Sequence, residues 1–596
     1  MSEHKETFLR DILPFVGTPG RYVGNEVNMV RKKWDSVRCR TALAFPDTYE
    51  IGMSNMGIQI LYHVLNSRED TLAERVFAPG EDLEERLRAA DIPLLSLESF
   101  TPLSSFDIVG FSVQTELCYT NMLTMLDLGG IPLRSKDRGE DDPLVICGGH
   151  NINYEPIADF CDAVLIGEGD EAVEEIAATL IEKQGCAREE VIGTLEKIEG
   201  IYIPSFFDVS YNNDGTVRRI SHTGSKRTVE RRIVEDLDAV PYPDAPLVPN
   251  IEVIHQRISI ELMRGCPHAC RFCMSGNFSR RIRTRSSENV FDLCRTSYRK
   301  TGYEEISLLS LSSGEYPGIL DLSRRISDYF SPMHVSLSLP SLRVTEKIVD
   351  MLPQLKAVRK SGLTFAPETA SEDLRMLQKK KMSNEELFRI IRKAYSKGWD
   401  RVKLYFMIGL PGETESDVES IAPFVKHIAD IRKDVDGKKG MVNMSISPFI
   451  PKPFSPFQRE PMNSRETIET KIRKVTDSIR DKNIRYRYPD TDATFLEGVF
   501  SRGDRRLADI IETAWEHGAR FDRWDENFKP DVWNEAFEHH DIDPLFYTVR
   551  KRDIEEILPW SHIRTGCEER IENDYKSFIS ECNKRNSRNA EKSKAE

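Results

Sequence analysis

No stretch of this 596-residue chain approaches the ~18 uninterrupted apolar residues that a bilayer span requires. The opening residues, MSEHKETFLR, lack the apolar core of a secretory signal, so a cytoplasmic protein with no membrane partner is expected. Cysteine is sparse. Eleven are too few for a disulfide scaffold of this size, and most stand singly in apolar runs where a small buried residue suffices. A basic excess is missing too: the formal net charge of -14 repels phosphate backbones and argues against sequence-blind nucleic-acid binding, leaving only a local basic patch. No internal repeat is apparent, which disfavours a solenoid or array.

What the chain does have is length for roughly three domains. From about 40 to 185, short apolar runs (TALAF, IPLLSLES, DIVGFSV, LVICGG, AVLIGEG) alternate with longer amphipathic stretches such as IQILYHVLNS. Apolar runs without polar alternation suit strands covered on both faces, hence a parallel sheet with crossover helices. The expectation is an α/β protein whose residues 1–200 form a Rossmann-like domain with an N-terminal extension. Residues 201–250 read as a hairpin, turning at YNNDG, and a Pro-rich linker. Across 251–480, RISIELM, EISLLSLSS, HVSLSLPS, SGLTFAPE, RVKLYFMIGLPG and MVNMSISPFI make six βα-type units, fitting a partial (β/α)6 TIM-like barrel. Residues 481–582 read as a small, mostly helical region and 583–596 as a disordered tail.

One group of cysteines is spaced like metal ligands: Cys266-Pro-His-Ala-Cys270-Arg-Phe-Cys273, on the loop leaving the first strand of the second α/β region. Structural zinc needs four protein ligands and would have to recruit His255 or His268. Three thiolates can instead hold a 4Fe-4S cluster with one iron open to substrate or cofactor. Arg264, Arg271, Arg280, Arg281, Arg283 and Arg285 crowd this loop. They would either offset cluster and carboxylate charge, the favoured reading, or bind an anionic substrate. Ser286 and Ser287 read as helix caps.

The CxxxCxxC spacing, with aromatic Phe272 before the last cysteine, resembles the signature of the radical S-adenosylmethionine superfamily. Gly314-Glu315 after the second strand resembles the motif that receives the methionine amino group, with Ser313 replacing its usual preceding glycine. Glu368 and Ser371 after the fourth strand, Gly409, Gly412 and Glu413 in GLPGE, and SPFIPKPFSPFQ after the sixth are similar to that superfamily's closing strands. The resemblance implies that S-adenosylmethionine chelates the open iron. Reductive cleavage then yields methionine and a 5'-deoxyadenosyl radical, inside a barrel that excludes water. An electron donor such as flavodoxin or ferredoxin is the implied partner.

In the first domain, Asp47-Thr-Tyr49-Glu-Ile-Gly52 resembles the DxHxxG loop of cobalamin-binding domains, with Tyr49 at the position of the cobalt-ligating histidine. VGFSVQT, Gly148-Gly149 and DAVLIGEGD are similar to that domain's later strands, and small glycines would let backbone approach a bulky ligand. The domain would therefore either bind cobalamin without that ligand or keep only the fold. The whole arrangement is similar to a poorly characterised family of radical enzymes with an N-terminal cobalamin-binding-like domain. Cys567 and Cys582 have no further cysteine partners, so no second cluster is expected; Cys118 and Cys147 read as isolated buried thiols. The leading expectation is a radical enzyme that functionalises an unspecified substrate, by methyl transfer if cobalamin binds. The alternatives are transfer-RNA nucleoside modification, as in methylthiotransferases, and a non-catalytic assembly protein stabilised by a metal.

Overall fold

The computed structural model describes residues 3–150, 152–340 and 363–595. Strands β1 (Cys39–Phe45), β2 (Thr71–Phe77), β3 (Ile108–Ser112), β4 (Leu144–Gly148), β5 (Ala163–Leu165) and β6 (Ile201–Tyr202) form one sheet in the order β2-β1-β3-β4-β5-β6. All neighbours are parallel except β5 and β6. Both faces are covered, as unbroken apolar strands require. Helices Met56–Ser67 and Ala172–Glu182 cover one face, and helix Tyr119–Leu128 with the C-terminal region covers the other.

Two elements of this domain differ from expectation. IPLLSLES is not a strand; it runs as a loop with an isolated bridge between Leu95 and Pro102. The edge strand is β2, TLAERVF, whose charges hide it from an apolar-run reading. Arg75 in β2 is fully buried and bonds Glu98 at 2.6 Å and Glu26 at 2.8 Å, so its charge is matched inside the protein.

The hairpin at YNNDG is present as β7 (Phe207–Tyr211) and β8 (Val217–His222), and β9 (Val229–Glu230) follows it. Next come β10 (Ile258–Glu261), the short antiparallel pair β11 (Met263–Arg264) and β12 (Arg283–Thr284), then β13 (Glu305–Leu309) and β14 (Ser336–Ser338). The second half holds β15 (Leu363–Glu368), β16 (Arg401–Ile408), β17 (Met441–Pro448) and β18 (Ile484–Arg487). These strands make two parallel sheets, β10-β13-β14 and β15-β16-β17-β18. HVSLSLPS and SGLTFAPE each have one end outside the described residues. Among the described residues the α/β barrel-like unit thus has seven parallel strands, the last of them, β18, lying beyond the expected end at 480. Its sequence, IRYR, is short and polar because three of its four residues are exposed, so no apolar run announces it.

On β16 and β17, Leu404, Phe406, Val442, Met444 and Ile446 pack under helices Asn384–Ser396 and Ile421–Ile431. The alternate residues Lys403, Tyr405, Asn443 and Ser445, continued by Arg485 and Arg487, turn to the other face, where Arg487 Nε donates to Ser445 Oγ at 3.0 Å. That inner face is polar.

The C-terminal region does not hang from the barrel. Helices Thr491–Arg502 and Leu507–Glu516 pack on the first domain's sheet in a shared core with Phe111, Met122 and Leu126. β19 (Ile563–Arg564) pairs with β9, and the chain ends in helix Glu568–Ala595. That helix replaces the expected disordered tail. Its polar composition hides three apolar anchors, Ile571, Tyr575 and Phe578, and Arg585 is buried against Asp417 at 2.7 Å. Among the described residues no helix is long and apolar enough to cross a membrane.

Candidate functional site

The cysteine loop begins one residue beyond β11. Gly265 turns there at φ +90°, where an added Cβ would lie 2.2 Å from the Arg281 carbonyl oxygen. The loop then closes on itself: Cys266 N–H donates to Ser279 O at 3.0 Å and Cys273 N–H to Cys270 O at 3.1 Å. Buried Asn277 pins it, donating to the carbonyls of Cys270 at 3.1 Å and Cys273 at 2.7 Å. All three thiols keep intermediate exposure. Gly276 N–H donates to Cys273 Sγ at 3.2 Å, a contact that favours a thiolate. Burial pushes the Cys273 thiol up, with that N–H and Lys380 opposing, so ligation there must displace a proton.

Among the described residues, no three His, Cys, Asp or Glu side chains converge as a single metal ion requires. The zinc reading also lacks its fourth ligand. His268 Nε2 lies 3.6 Å from Glu315 Oε1, and His255 lies ahead of β10, its main-chain N–H bonded to Ser54 Oγ at 3.1 Å.

The strand ends bring several expected residues to this loop. Gly314 and Glu315 sit in a tight turn after β13, and Glu315 reaches His268. Glu368, closing β15, takes a left-handed backbone at φ +64° and accepts from Lys380 at 2.6 Å. A non-glycine residue held there is strained, and such strain concentrates at functional sites. Ser371 caps helix Glu372–Leu377, accepting from Leu374 N–H at 3.3 Å. Phe272 packs against the core of Leu374, Leu377 and Phe578, anchoring the loop.

GLPGE serves the backbone. Buried Glu413 accepts from Gly409 N–H at 2.9 Å and from Lys471 at 2.7 Å, and Gly412 lets Leu377 and Cys582 approach.

The arginines do not neutralise the cysteines. Arg264 bonds Asp170 at 2.6 Å and Glu261 at 2.9 Å, while Arg283 bonds Glu168 at 2.6 Å. Arg271, with no exposed side-chain surface, bonds Asp574 and Glu581 of the C-terminal helix and the Leu377 carbonyl. Arg281 pairs with Glu235, Arg285 donates to Leu237 O, and Arg280 donates to Cys266 O at 3.0 Å. Their partners are carboxylates and carbonyls of neighbouring segments, so they fasten the loop between domains. Ser286 does cap its helix, accepting from Asn289 N–H at 3.2 Å.

A cavity of about 500 Å³ lies between the first sheet and the cysteine loop. Alternate residues of the sheet form its floor, among them Leu43, Gly110, Gly148 and Leu165; Met56 and Ile60 of helix Met56–Ser67 line it too. Met263, Gly265 and Ser279 bring its wall to the residue next to Cys266. The volume is in the range of small-ligand pockets. Gly148 and Gly149 line it, and at Gly149 (φ +153°) a Cβ would sit 1.8 Å from Val113 O.

Asp47, Tyr49 and Gly52 serve packing instead. Asp47 accepts from Trp524 Nε1 at 3.1 Å, and buried Tyr49 donates to Glu26 at 3.0 Å. A Cβ on Gly52 would strike Phe77. The expected cobalt-ligand position thus faces the protein core.

Sequence reasoning passed over His150, which lines the cavity and lies edge-on to Phe278 with ring centroids 5.8 Å apart. Burial, and then Arg231, push its imidazole down to about 4, so it is neutral. The signal available was its place directly after Gly148-Gly149. Cys147, another lining residue, has its sulfur against Cys161 rather than Cys118.

The chain is 25% identical over 476 residues to an uncharacterized protein of Methanocaldococcus jannaschii, covering 79% of this chain and 90% of that one. It is 24% identical over 361 residues to an uncharacterized methyltransferase of Pyrococcus horikoshii, covering 58% and 69%. Among solved structures it is similar to the radical S-adenosylmethionine methyltransferase TsrM of Kitasatospora setae, with cobalamin and a [4Fe-4S] cluster bound. The TM-score there is 0.46 at 14% identity, covering 69% of this chain and 75% of that one. Residues 57–204 match the family described as radical SAM proteins, N-terminal, and residues 260–425 the radical SAM superfamily. Together these matches take in more than half of the sequence, and the second carries all three clustered cysteines: the chain belongs to the radical S-adenosylmethionine superfamily of enzymes.

Proposed function

We propose that Cys266, Cys270 and Cys273 hold a 4Fe-4S cluster at which S-adenosylmethionine is reductively cleaved, and that the adjoining cavity takes a cobalamin. The observation that carries this reading is the meeting, at one end of the barrel strands, of a three-cysteine loop, Glu315, Glu368 and a glycine-floored cavity. Three sulfur donors on one loop suit a 4Fe-4S cluster that keeps one iron open. With one electron from a flavodoxin- or ferredoxin-type donor, the loaded site supplies methionine and a 5'-deoxyadenosyl radical for hydrogen abstraction.

The protein's own part is to bind, orient and exclude water. Glu315, at the turn after β13 and only part-exposed, offers an acceptor for the methionine amino group. Glu368 and Lys380 form an ion pair beside Cys273, where they would offer opposite charges to the amino and carboxylate groups of S-adenosylmethionine. The C-terminal helix seals the outer side of the loop through Arg271. The glycines in the cavity floor, its apolar walls and the ion-paired Arg264 and Asp170 at the end nearest the cysteines would hold the cobalamin. Carbon functionalisation, with methyl transfer through the corrinoid, is the reaction class.

The test is anaerobic reconstitution with iron and sulfide, followed by dithionite and S-adenosylmethionine, with chromatography for 5'-deoxyadenosine. The expected result is its formation, abolished in C266A, C270A and C273A. An intact cluster that yields none would overturn the reading in favour of a metal-stabilised assembly protein. Visible absorption after purification with hydroxocobalamin tests the second cofactor, and protein that stays colourless discards methyl transfer by this route.

A further inference from the structure

The wall of the 500 Å³ cavity contains few polar groups, and most are already committed. Glu168 bonds Arg283 at 2.6 Å, Asp170 bonds Arg264 at 2.6 Å, and Glu261 bonds Arg264 at 2.9 Å. Gln114 donates to Ser112 at 3.2 Å, and Asn55 caps the helix beside it. The exception is His150. Among the described residues neither ring nitrogen has a hydrogen-bond partner; the ring lies edge-on to apolar Phe278, on the helix that follows Cys273.

Such an imidazole needs a reason. His150 is half-buried in the cavity wall, and an imidazole nitrogen with no partner there is free to bind a ligand held in the cavity. The backbone that carries it is held firmly. Val113 N–H donates to Gly148 O at 2.8 Å, Tyr154 OH donates to Gly149 O at 3.2 Å, and Gly149 packs directly on Val113. A side chain that directly follows so fixed a Gly148-Gly149 backbone has the placement that metal ligation demands. Tyr49, at the motif position for a cobalt ligand, is turned away to Glu26. Among the described residues the one imidazole in the cavity wall is His150, directly after Gly148-Gly149.

Resting on the cobalamin reading above, we infer that His150 is the protein's axial ligand to the cobalt of a corrinoid bound in this cavity. Ligation uses the lone pair of a neutral ring nitrogen and needs no redox partner or proton transfer.

The experiment uses full-length protein loaded with cobinamide, a corrinoid with no nitrogen base of its own, reduced to the cobalt(II) state and examined by electron paramagnetic resonance. The expected spectrum shows nitrogen superhyperfine splitting, whose pattern changes in 15N-histidine-labelled protein and which is lost in His150→Phe. Visible absorption of the same samples reports binding separately. Bound corrinoid with no splitting, or splitting that ignores the label or survives in His150→Phe, would overturn the assignment while leaving cobalamin binding intact. If neither cobinamide nor cobalamin binds the wild-type protein, both readings fall. Should the variant fail to fold, the labelled wild type still decides, because His150 is the one histidine among the described residues that line the cavity.

Discussion

Replacing Arg271 by methionine tests how the cysteine loop is sealed. The arginine lies between two of the cysteines, is fully buried, and bonds Asp574 at 3.1 Å, Glu581 at 2.7 Å and the Leu377 carbonyl at 2.6 Å. Breaking a buried pair by removing one partner costs about 3–5 kcal/mol. Two features pull this case to the lower end. Asp574 keeps Lys379 at 2.6 Å, and Glu581 is 45% exposed and so contributes little. A loss of about 3 kcal/mol raises the population with the helix locally detached roughly a hundredfold. Hydrogen exchange of the amides in 568–589 should rise accordingly, while the loop keeps its backbone bond from Arg271 N–H to Gln378 O. The loss should also appear as faster bleaching of the reconstituted cluster in air. Exchange within threefold of wild type, in a folded variant, would refute the claim that this side chain clamps the helix.

C266A, C270A and C273A should each lose iron and acid-labile sulfide, whereas C294A, at a buried thiol elsewhere, should retain both. Gly149→Ala places a Cβ 1.8 Å from Val113 O at φ +153°; strain of at least about 1–3 kcal/mol should lower the melting temperature and weaken corrinoid binding measured by visible titration. Lys452→Met leaves buried Glu116 without its cation, although Ser501 still donates to it, and about 3 kcal/mol of stability should be lost in denaturant unfolding. Burial raises Glu155, but Arg505 and His562 outweigh it and hold the carboxyl down to about 2. Its contribution to stability is therefore complete above the unfolded carboxylate range, near pH 4.5, and is lost as pH falls toward 2. Arg505→Met should flatten that part of the acid-unfolding profile, and an unchanged profile would remove Arg505 as the cause.

Much of the α/β architecture is legible along the chain because strands such as LVICG and MVNMSISP must be apolar wherever sheets are covered on both faces. The elements that escape notice are those whose polarity is answered across long sequence separations. β2 carries Arg75, matched by Glu26 and Glu98. β18 is polar because it is exposed. The C-terminal helix reads as a solvated tail until Arg271, Lys379 and Asp417 meet it. The arginines around the cysteines look like counter-charges to a cluster only while Asp170, Glu168 and Asp574, roughly a hundred to three hundred positions from Arg264, Arg283 and Arg271, are out of view.

By itself the sequence determined the chemistry on offer: three thiols at CxxxCxxC, a glycine to turn into them, and alternating α/β elements to carry them, since such spacing and patterning are local properties of the chain. Only the tertiary structure decided which groups face one another. It turned Tyr49 into the core, committed the arginines to ion pairs, and set His150 in the wall of a cavity that reaches the cysteine loop, 116 positions further on. The physical reason is that enclosure and charge pairing depend on surfaces meeting, and no short stretch of sequence contains both surfaces.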